Sequence, residues 1–337
     1  MHNRRARSCL RARCKHITLG ERASVVVPTD FWENFEVEIS DFDGLVNVIN
    51  QVMEKSVKKN ISFAWRGQVD AKWALHSSLY RRLSLTKGKN VGESELSAAE
   101  SQILADLHRW GLHSHPNRGR LSILNQLAIL QHYGAPTRLI DITFNAWVGV
   151  FFAVEQKWDN GEEIYAESDA RLFAFDVTNK IINEDVGMRP WEDSLFRPWK
   201  SEMFDQLQWT TSVFAWKPPS IDPRIFAQNG AFLLGGVPAS AKPGGARLQF
   251  PKEPGVNTRW LIDEVRTSTS VAMRPHVFDP RQGGVVDGAL YTFRIKHAAK
   301  KDIRERLRQM FGYEHSTIYP DYSGFSLFGT PNLKSRP

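Results

Sequence analysis

The chain of 337 residues holds two cysteines, Cys9 and Cys14, both within its first twenty residues. Residues 21–337 therefore have no thiol, which excludes thiolate zinc sites, a cysteine nucleophile and a stabilising disulfide there. A cytoplasmic location is the expectation that follows. Long apolar runs are also missing. The longest, AWVGVFFAV from Ala146 to Val154, falls well short of the ~20 residues of a membrane helix, so no membrane span is expected. No P-loop, dinucleotide-type Gly-x-Gly-x-x-Gly, His-Glu-x-x-His or nucleophile-elbow serine is present, which disfavours ATP hydrolysis, Rossmann redox chemistry and serine hydrolysis. His108, His113 and His115 lack a carboxylate at helical spacing and read as surface histidines, so no metal is expected.

Excess charge is absent from most of the chain too. The formal net charge is +7, yet Arg4, Arg5, Arg7, Arg11, Arg13 and Lys15 supply six of those units within residues 1–20, with no acid among them. Residues 1–20 read as a basic, disordered leader, and residues 21–337 as a single, nearly neutral domain. A near-neutral body argues against a nucleic-acid-directed factor, because phosphate neutralisation needs clustered Lys and Arg.

Periodicity assigns the elements. SVVVP (Ser24–Pro28), ISFAW, RLFAFDV (Arg171–Val177), AFLLGG (Ala231–Gly236), TRWLIDEV (Thr258–Val265) and LYTFRI (Leu290–Ile295) read as strands. DGLVNVINQVMEKSV reads as a helix with Leu45, Val46, Ile49, Val52, Met53 and Val57 on one face, capped by Asp41 or Asp43. Ser97 and Glu100 have the spacing of a capping box before Ile103, Leu104, Leu107 and Trp110. LSILNQLAILQHY forms a helix stopped at Gly134, NAWVGVFFAVEQKW forms another, and KKDIRERLRQMFG forms a last one stopped by Gly312. Strands and helices mix without strict alternation, so the fold class is α+β: a mixed sheet with a helical central insertion.

Three stretches break binary patterning with polar side chains and glycine in apolar surroundings: FAWRGQ (Phe63–Gln68), QHYGAPTRLIDIT (Gln131–Thr143) and RIFAQNGAF (Arg224–Phe232). An arginine following Phe63, Ala64 and Trp65 is led toward the interior, where a free charge is costly. Arg66 is paired either with an anionic ligand or with Asp141 in a structural latch. Asp141 and Thr143 have a second ordinary role open to them, as acceptors for the first amides of the following helix.

These stretches resemble the bacterial FRG domain family. FAWRGQVDAKWALHSSLYRR is similar to its aromatic-Arg-Gly-Gln, Trp-x-Leu and Ser-Leu-x-Arg pattern. QHYGAPTRLIDITFNAWVGVFFA is similar to its His-Tyr-Gly-x-Pro-Thr-Arg-Leu-x-Asp-x-Thr segment. DPRIFAQNGAFLL and the closing STIYPDYSGFS extend the resemblance from about Val37 to Phe328. Trp65 departs from the usual Phe or Tyr and keeps a flat apolar ring. The family is common near phage-defence and toxin-like genes. A weaker resemblance links the Arg-Gly strand to arginine-class ADP-ribosyltransferases, which implies a transferase-like sheet and NAD as substrate.

That second resemblance implies roles. Arg66 would clamp ribose or phosphate, Gly67 would receive the nicotinamide ring, Gln68 would orient it, and Asp141 would serve as acid/base or ribose-binding carboxylate. Trp65, His132, Tyr133, Thr137, Arg138, Thr143, Gln228 and Gly230 complete the expected ligand-binding set. Such transferases also need a glutamate, for which Glu155, Asp263 and Glu264 are candidates by chemistry alone. The expected partners are a nucleotide and, for a transferase, a protein or nucleic-acid acceptor. A non-catalytic sensor using the same pocket is the competing expectation.

Overall fold

A computed structural model describes residues 28–115, 119–182, 191–202, 204–219, 223–239, 248–279 and 288–331. The basic leader, both cysteines and residues 24–27 of the first expected strand lie outside these stretches. Pro28 itself opens a helix, α1 (Pro28–Glu33), as its fixed φ and missing N–H allow.

The elements then run β1 (Glu36–Ile39), α2 (Phe42–Lys59), β2 (Phe63–Gln68), α3 (Ser78–Lys87), α4 (Glu93–Arg109), β3 (Ser114–His115), β4 (Gly119–Arg120), α5 (Ile123–His132), β5 (Ile140–Thr143), α6 (Ala146–Val154), β6 (Lys157–Asp159), β7 (Glu162–Ile164) and β8 (Ala170–Asp176). After these come α7 (Gln206–Thr211), β9 (Phe214–Trp216), α8 (Pro223–Ala227), β10 (Gly230–Leu234), α9 (Ile262–Ser268), β11 (Leu290–Ile295), α10 (His297–Phe311) and α11 (His315–Ile318).

Seven strands form one mixed sheet in the order β1-β11-β8-β2-β5-β10-β9. β1 and β11 are parallel and the other neighbours antiparallel. The α+β expectation holds. Helices cover both faces of the sheet. On one face α2, α6 and α10 bring Leu45, Ile49, Val52, Phe151, Ile303 and Leu307 onto Phe63, Trp65, Leu172 and Phe293. On the other, α1 and α9 bring Phe31, Trp32 and Val265 onto Ala64, Phe173, Phe175 and Leu233. Alternation along β2 thus sends Phe63 and Trp65 one way and Ala64 the other.

Several local expectations change. Met53 and Val57 are 47 % and 82 % exposed, so the buried stripe of α2 is narrower than its apolar sequence. Ser97 and Glu100 lie inside α4, not at its start. Glu95 instead caps it, accepting from the Gly92 amide at 3.0 Å, while Glu100 is drawn into an ion-paired cluster. Thr258–Val265 is not a strand. Ile262–Ser268 is helical, because Glu264 accepts from the Leu261 amide at 2.6 Å and closes the first turn. α6 stops at Val154, four residues short of the sequence expectation, where Glu155 turns extended.

Candidate functional site

β2 pairs with β8 along its whole length, from Phe63 to Gln68. Its other neighbour, β5, meets it only at Trp65 opposite Thr143. Beyond that pair the ladder stops, and the two strands leave a cleft of ≈ 420 Å³ between their facing edges. Arg66, Gly67 and Gln68 line one side and Asp141, Ile142 and Thr143 the other. Gln131 and His132 of α5, Phe152 of α6, Arg224, Gln228 and Tyr319 are also among its lining residues.

Arg66 spans the opening. Its Nη1 donates to the backbone carbonyl of Asp141 at 2.6 Å, an acceptor the interrupted ladder leaves free. The Asp141 carboxylate stands farther off, at 3.9 Å, and is 68 % exposed, so this pair contributes little in Coulomb energy. Arg66 Nε is buried with no hydrogen-bond partner among the described residues. Burial pushes the Arg66 pKa below its ordinary value; Asp141 offsets part of this, and Arg81 adds to it. Of the five guanidinium donors, Nε is thus the one buried without an acceptor. The latch expected between Arg66 and Asp141 exists, but it does not use up the cation.

Gly67 has a different reason to be glycine. A Cβ there would lie 2.1 Å from the Gly149 carbonyl oxygen and 2.3 Å from the Ala153 nitrogen. The residue lets α6 lie directly on β2, and the expected ring-receiving role does not explain it. Gly149 faces it from the helix, where a Cβ would be 3.0 Å from that of Trp65.

The other side chains divide. Gln68 donates through Nε2 to the Ala74 carbonyl at 3.2 Å, and its Oε1 is buried without a partner. Gln131, unassigned from the sequence, donates to Asp141 Oδ1 at 2.8 Å and fixes that carboxylate. Thr143 lines the cleft, but its hydroxyl donates to the Gln228 carbonyl and accepts from the Asn145 amide, supporting the start of α6. Gln228 ties to the Ile318 carbonyl at 3.0 Å. Gly230 packs on Ile225 outside the lining, and Tyr133 is 82 % exposed at the end of α5. Thr137 is buried away from the cleft, donating to Gln131 Oε1 and accepting from the Leu139 amide.

Arg138 is corrected most clearly. It is 2 % exposed and lies outside the cleft. Its guanidinium binds Glu100 through Nε at 2.5 Å and Nη2 at 3.1 Å, and Glu93 and the Gly235 carbonyl through Nη1. The rings of Trp199 and Trp209, stacked on each other, lie 5.4 and 5.2 Å from its guanidinium carbon. Burial works against its charge, but Glu100 and Glu93 outweigh it and hold the pKa above the ordinary value. Arg138 is a structural clamp.

Of the three candidate glutamate positions, Asp263 and Glu264 lie on α9, outside the cleft. Glu155 lies in it and is buried. One of its oxygens accepts from the Tyr319 hydroxyl at 2.9 Å and the other from Lys157 Nζ. Burial raises its pKa, with Lys157 and Tyr319 pulling the other way. The Arg224 guanidinium sits 4.4 Å over the Tyr319 ring. Tyr319 and Arg224 belong to the quoted stretches STIYPDYSGFS and RIFAQNGAF. Their odd composition was the available signal, but nothing local assigned either residue a role.

No curated protein and no solved structure matches the chain. Residues 61–162, which carry Arg66, Asp141 and Glu155 but not Arg224 or Tyr319, match the family model described as the FRG domain.

Proposed function

We propose that the cleft binds a nucleotide and consumes NAD, either hydrolysing it or passing ADP-ribose to a protein or nucleic-acid acceptor. The observation that carries this reading is Arg66, a half-buried guanidinium whose Nε has no partner among the described residues, at the mouth of an interrupted β ladder, sharing one cleft with the buried carboxylate of Glu155. A guanidinium fork suits a phosphate pair. In the reaction the bond between the ribose C1′ and the pyridinium nitrogen breaks. The electron pair leaves with nicotinamide, and an acceptor oxygen, from water or a hydroxyl, bonds to C1′ and releases its proton. Positive charge grows on the ribose as the bond lengthens, and the Glu155 carboxylate, held by Lys157 and Tyr319, is the group suited to stabilise it. The Asp141 backbone carbonyl orients Arg66, and Gln131 holds the Asp141 carboxylate.

A phage-defence or toxin-like role in a bacterial cytoplasm extends this reading on the family resemblance alone. A non-catalytic sensor is the second reading. It is favoured by the fact that both oxygens of Glu155 already have partners.

Incubation with NAD and chromatography of released nicotinamide separates the two. The enzyme reading predicts release in the wild type and a loss of at least a hundredfold in a Glu155→Gln variant that remains folded. Ligand-induced stabilisation without any product would leave only the sensor.

A further inference from the structure

The cleft has one wall that neither reading has used. Trp73 is 38 % exposed and lines the cleft beside Gln68 and Val69. The turn that carries it is tightly held. Asp70 accepts from the Lys72 amide at 2.9 Å through its side chain and from the Trp73 amide at 3.1 Å through its carbonyl. The Ala71 amide donates to the Asp169 carbonyl at 2.7 Å, and the fully buried Arg171 donates to the Ala71 carbonyl at 3.2 Å.

The indole itself is held as well. Tyr165 meets it edge-to-face, with ring centroids 5.0 Å apart at 83°. Tyr165 has a left-handed backbone, φ 62°, a costly conformation for an aromatic residue that persists only where its surroundings enforce it. Here the enforcing group is Lys300, 2 % exposed, whose ammonium donates to the carbonyls of Tyr165, Val69 and Ser168 at 2.7, 3.0 and 3.1 Å. Three protons on three carbonyls bind the strained turn to the exit of β2. The result is a rigid aromatic surface facing the cavity.

Gln68 adds a direction. Only its NH₂ group can donate to the Ala74 carbonyl, so that bond fixes the amide orientation and leaves Oε1 as an acceptor. Oε1 has no partner, and the side chain is about nineteen-twentieths buried, at 5 % exposure. A buried acceptor without a donor is costly, and a ligand N–H removes the cost. Gln68 and Trp73 both line the cleft.

We infer that Trp73 and Gln68 form a subsite for a planar heteroaromatic ring bearing an exocyclic NH₂ donor, amine or carboxamide: the ring stacks on the indole and the NH₂ donates to Gln68 Oε1. The inference rests on the nucleotide reading of the cleft and narrows it. Two rings of NAD carry such a donor, adenine through its amine and nicotinamide through its carboxamide.

The test is ring recognition without phosphate. The indole N–H resonance of Trp73 in ¹⁵N-labelled protein, assigned by its absence in Trp73→Phe, is followed during titration with adenosine, inosine, nicotinamide or nicotinic acid. The expected result is a saturable shift with adenosine or nicotinamide and at least tenfold weaker binding of the matching ring that lacks the NH₂ donor. The responding ring tells which end of the dinucleotide occupies the subsite. By calorimetry, Trp73→Ala should lose about tenfold in affinity for that ring and Trp73→Phe should retain most of it, since any aromatic face can stack. No shift with any of the four rings overturns the inference, as does equal binding of inosine and adenosine together with equal binding of nicotinic acid and nicotinamide. Undiminished affinity in Trp73→Ala also overturns it. Ring binding without NAD turnover would defeat the enzyme reading and leave the subsite standing.

Discussion

Gly67 and Arg66 are adjacent on β2 but answer to different demands. The glycine is needed because the backbone of α6 occupies the space a side chain would take. Gly67→Ala must therefore push helix from sheet, and overpacking against backbone costs about 3 kcal/mol. Chemical denaturation should show a loss of that size, and an unchanged midpoint would refute the packing argument. The sequence marks Gly67 as unusual but cannot tell which element approaches it, because the face of β2 that α6 covers is a tertiary fact. Glu155 was recognisable as a chemical candidate and not as a cleft residue, since the apolar run before it reads as a helix continuing past it. The structure ends α6 at Val154 and turns the glutamate inward. That burial has a pH signature. With its folded pKa raised above the unfolded value, Glu155 binds more protons folded than unfolded in the window between the two. Stability should fall as pH rises through that window. On the enzyme reading, NAD turnover should rise across the same window. Paired pH profiles of melting and turnover check both signs, and Glu155→Gln should flatten the stability slope.

Among the elements, the short β2–β5 contact decides where the cleft opens, and a second device keeps β5 in position. Arg138, just before β5, grips Glu100 and Glu93 of α4, and Glu100 also accepts from Arg197 Nη1 at 3.0 Å. Glu93 further accepts from the Trp209 indole at 3.0 Å and the Val237 amide at 2.9 Å. One polar knot therefore joins α4, α7 and the ends of β5 and β10. Removing its central cation leaves buried carboxylates short of a partner, a change that costs about 3–5 kcal/mol. Arg138→Met should lose stability of that order in a denaturant melt. A variant that melts like the wild type yet loses ligand affinity would return Arg138 to the binding set. An arginine in a polar motif looks the same in sequence whether it meets a ligand or two glutamates, because its partners lie 38 and 45 residues away. The strands β2, β8, β10 and β11 and the long helices, by contrast, were legible from periodicity and from stops such as Gly134 and Gly312, whose φ values of 79° and 66° are left-handed. TRWLIDEV misled because a short apolar stretch fits either period, and only the Glu264 cap decides it.

At the scale of the molecule, segments far apart in sequence meet at one place. Arg66, Asp141, Glu155, Arg224 and Tyr319 share the cleft, so the three compositional oddities of the sequence do converge, although Arg138, Thr137, Tyr133 and Gly230 take no part in its lining. The family match ends at residue 162, while the cleft draws two of its walls from beyond that point. No helix among the described residues is long and apolar enough to cross a membrane. The central claim is that this convergence holds an anionic nucleotide through Arg66. A calorimetric titration of the folded protein with ADP-ribose, beside Arg66→Gln, tests it most directly. The account predicts one saturable site in the wild type and at least tenfold weaker binding in the variant at equal melting temperature. Equal binding by both proteins, or none by the wild type, would contradict it.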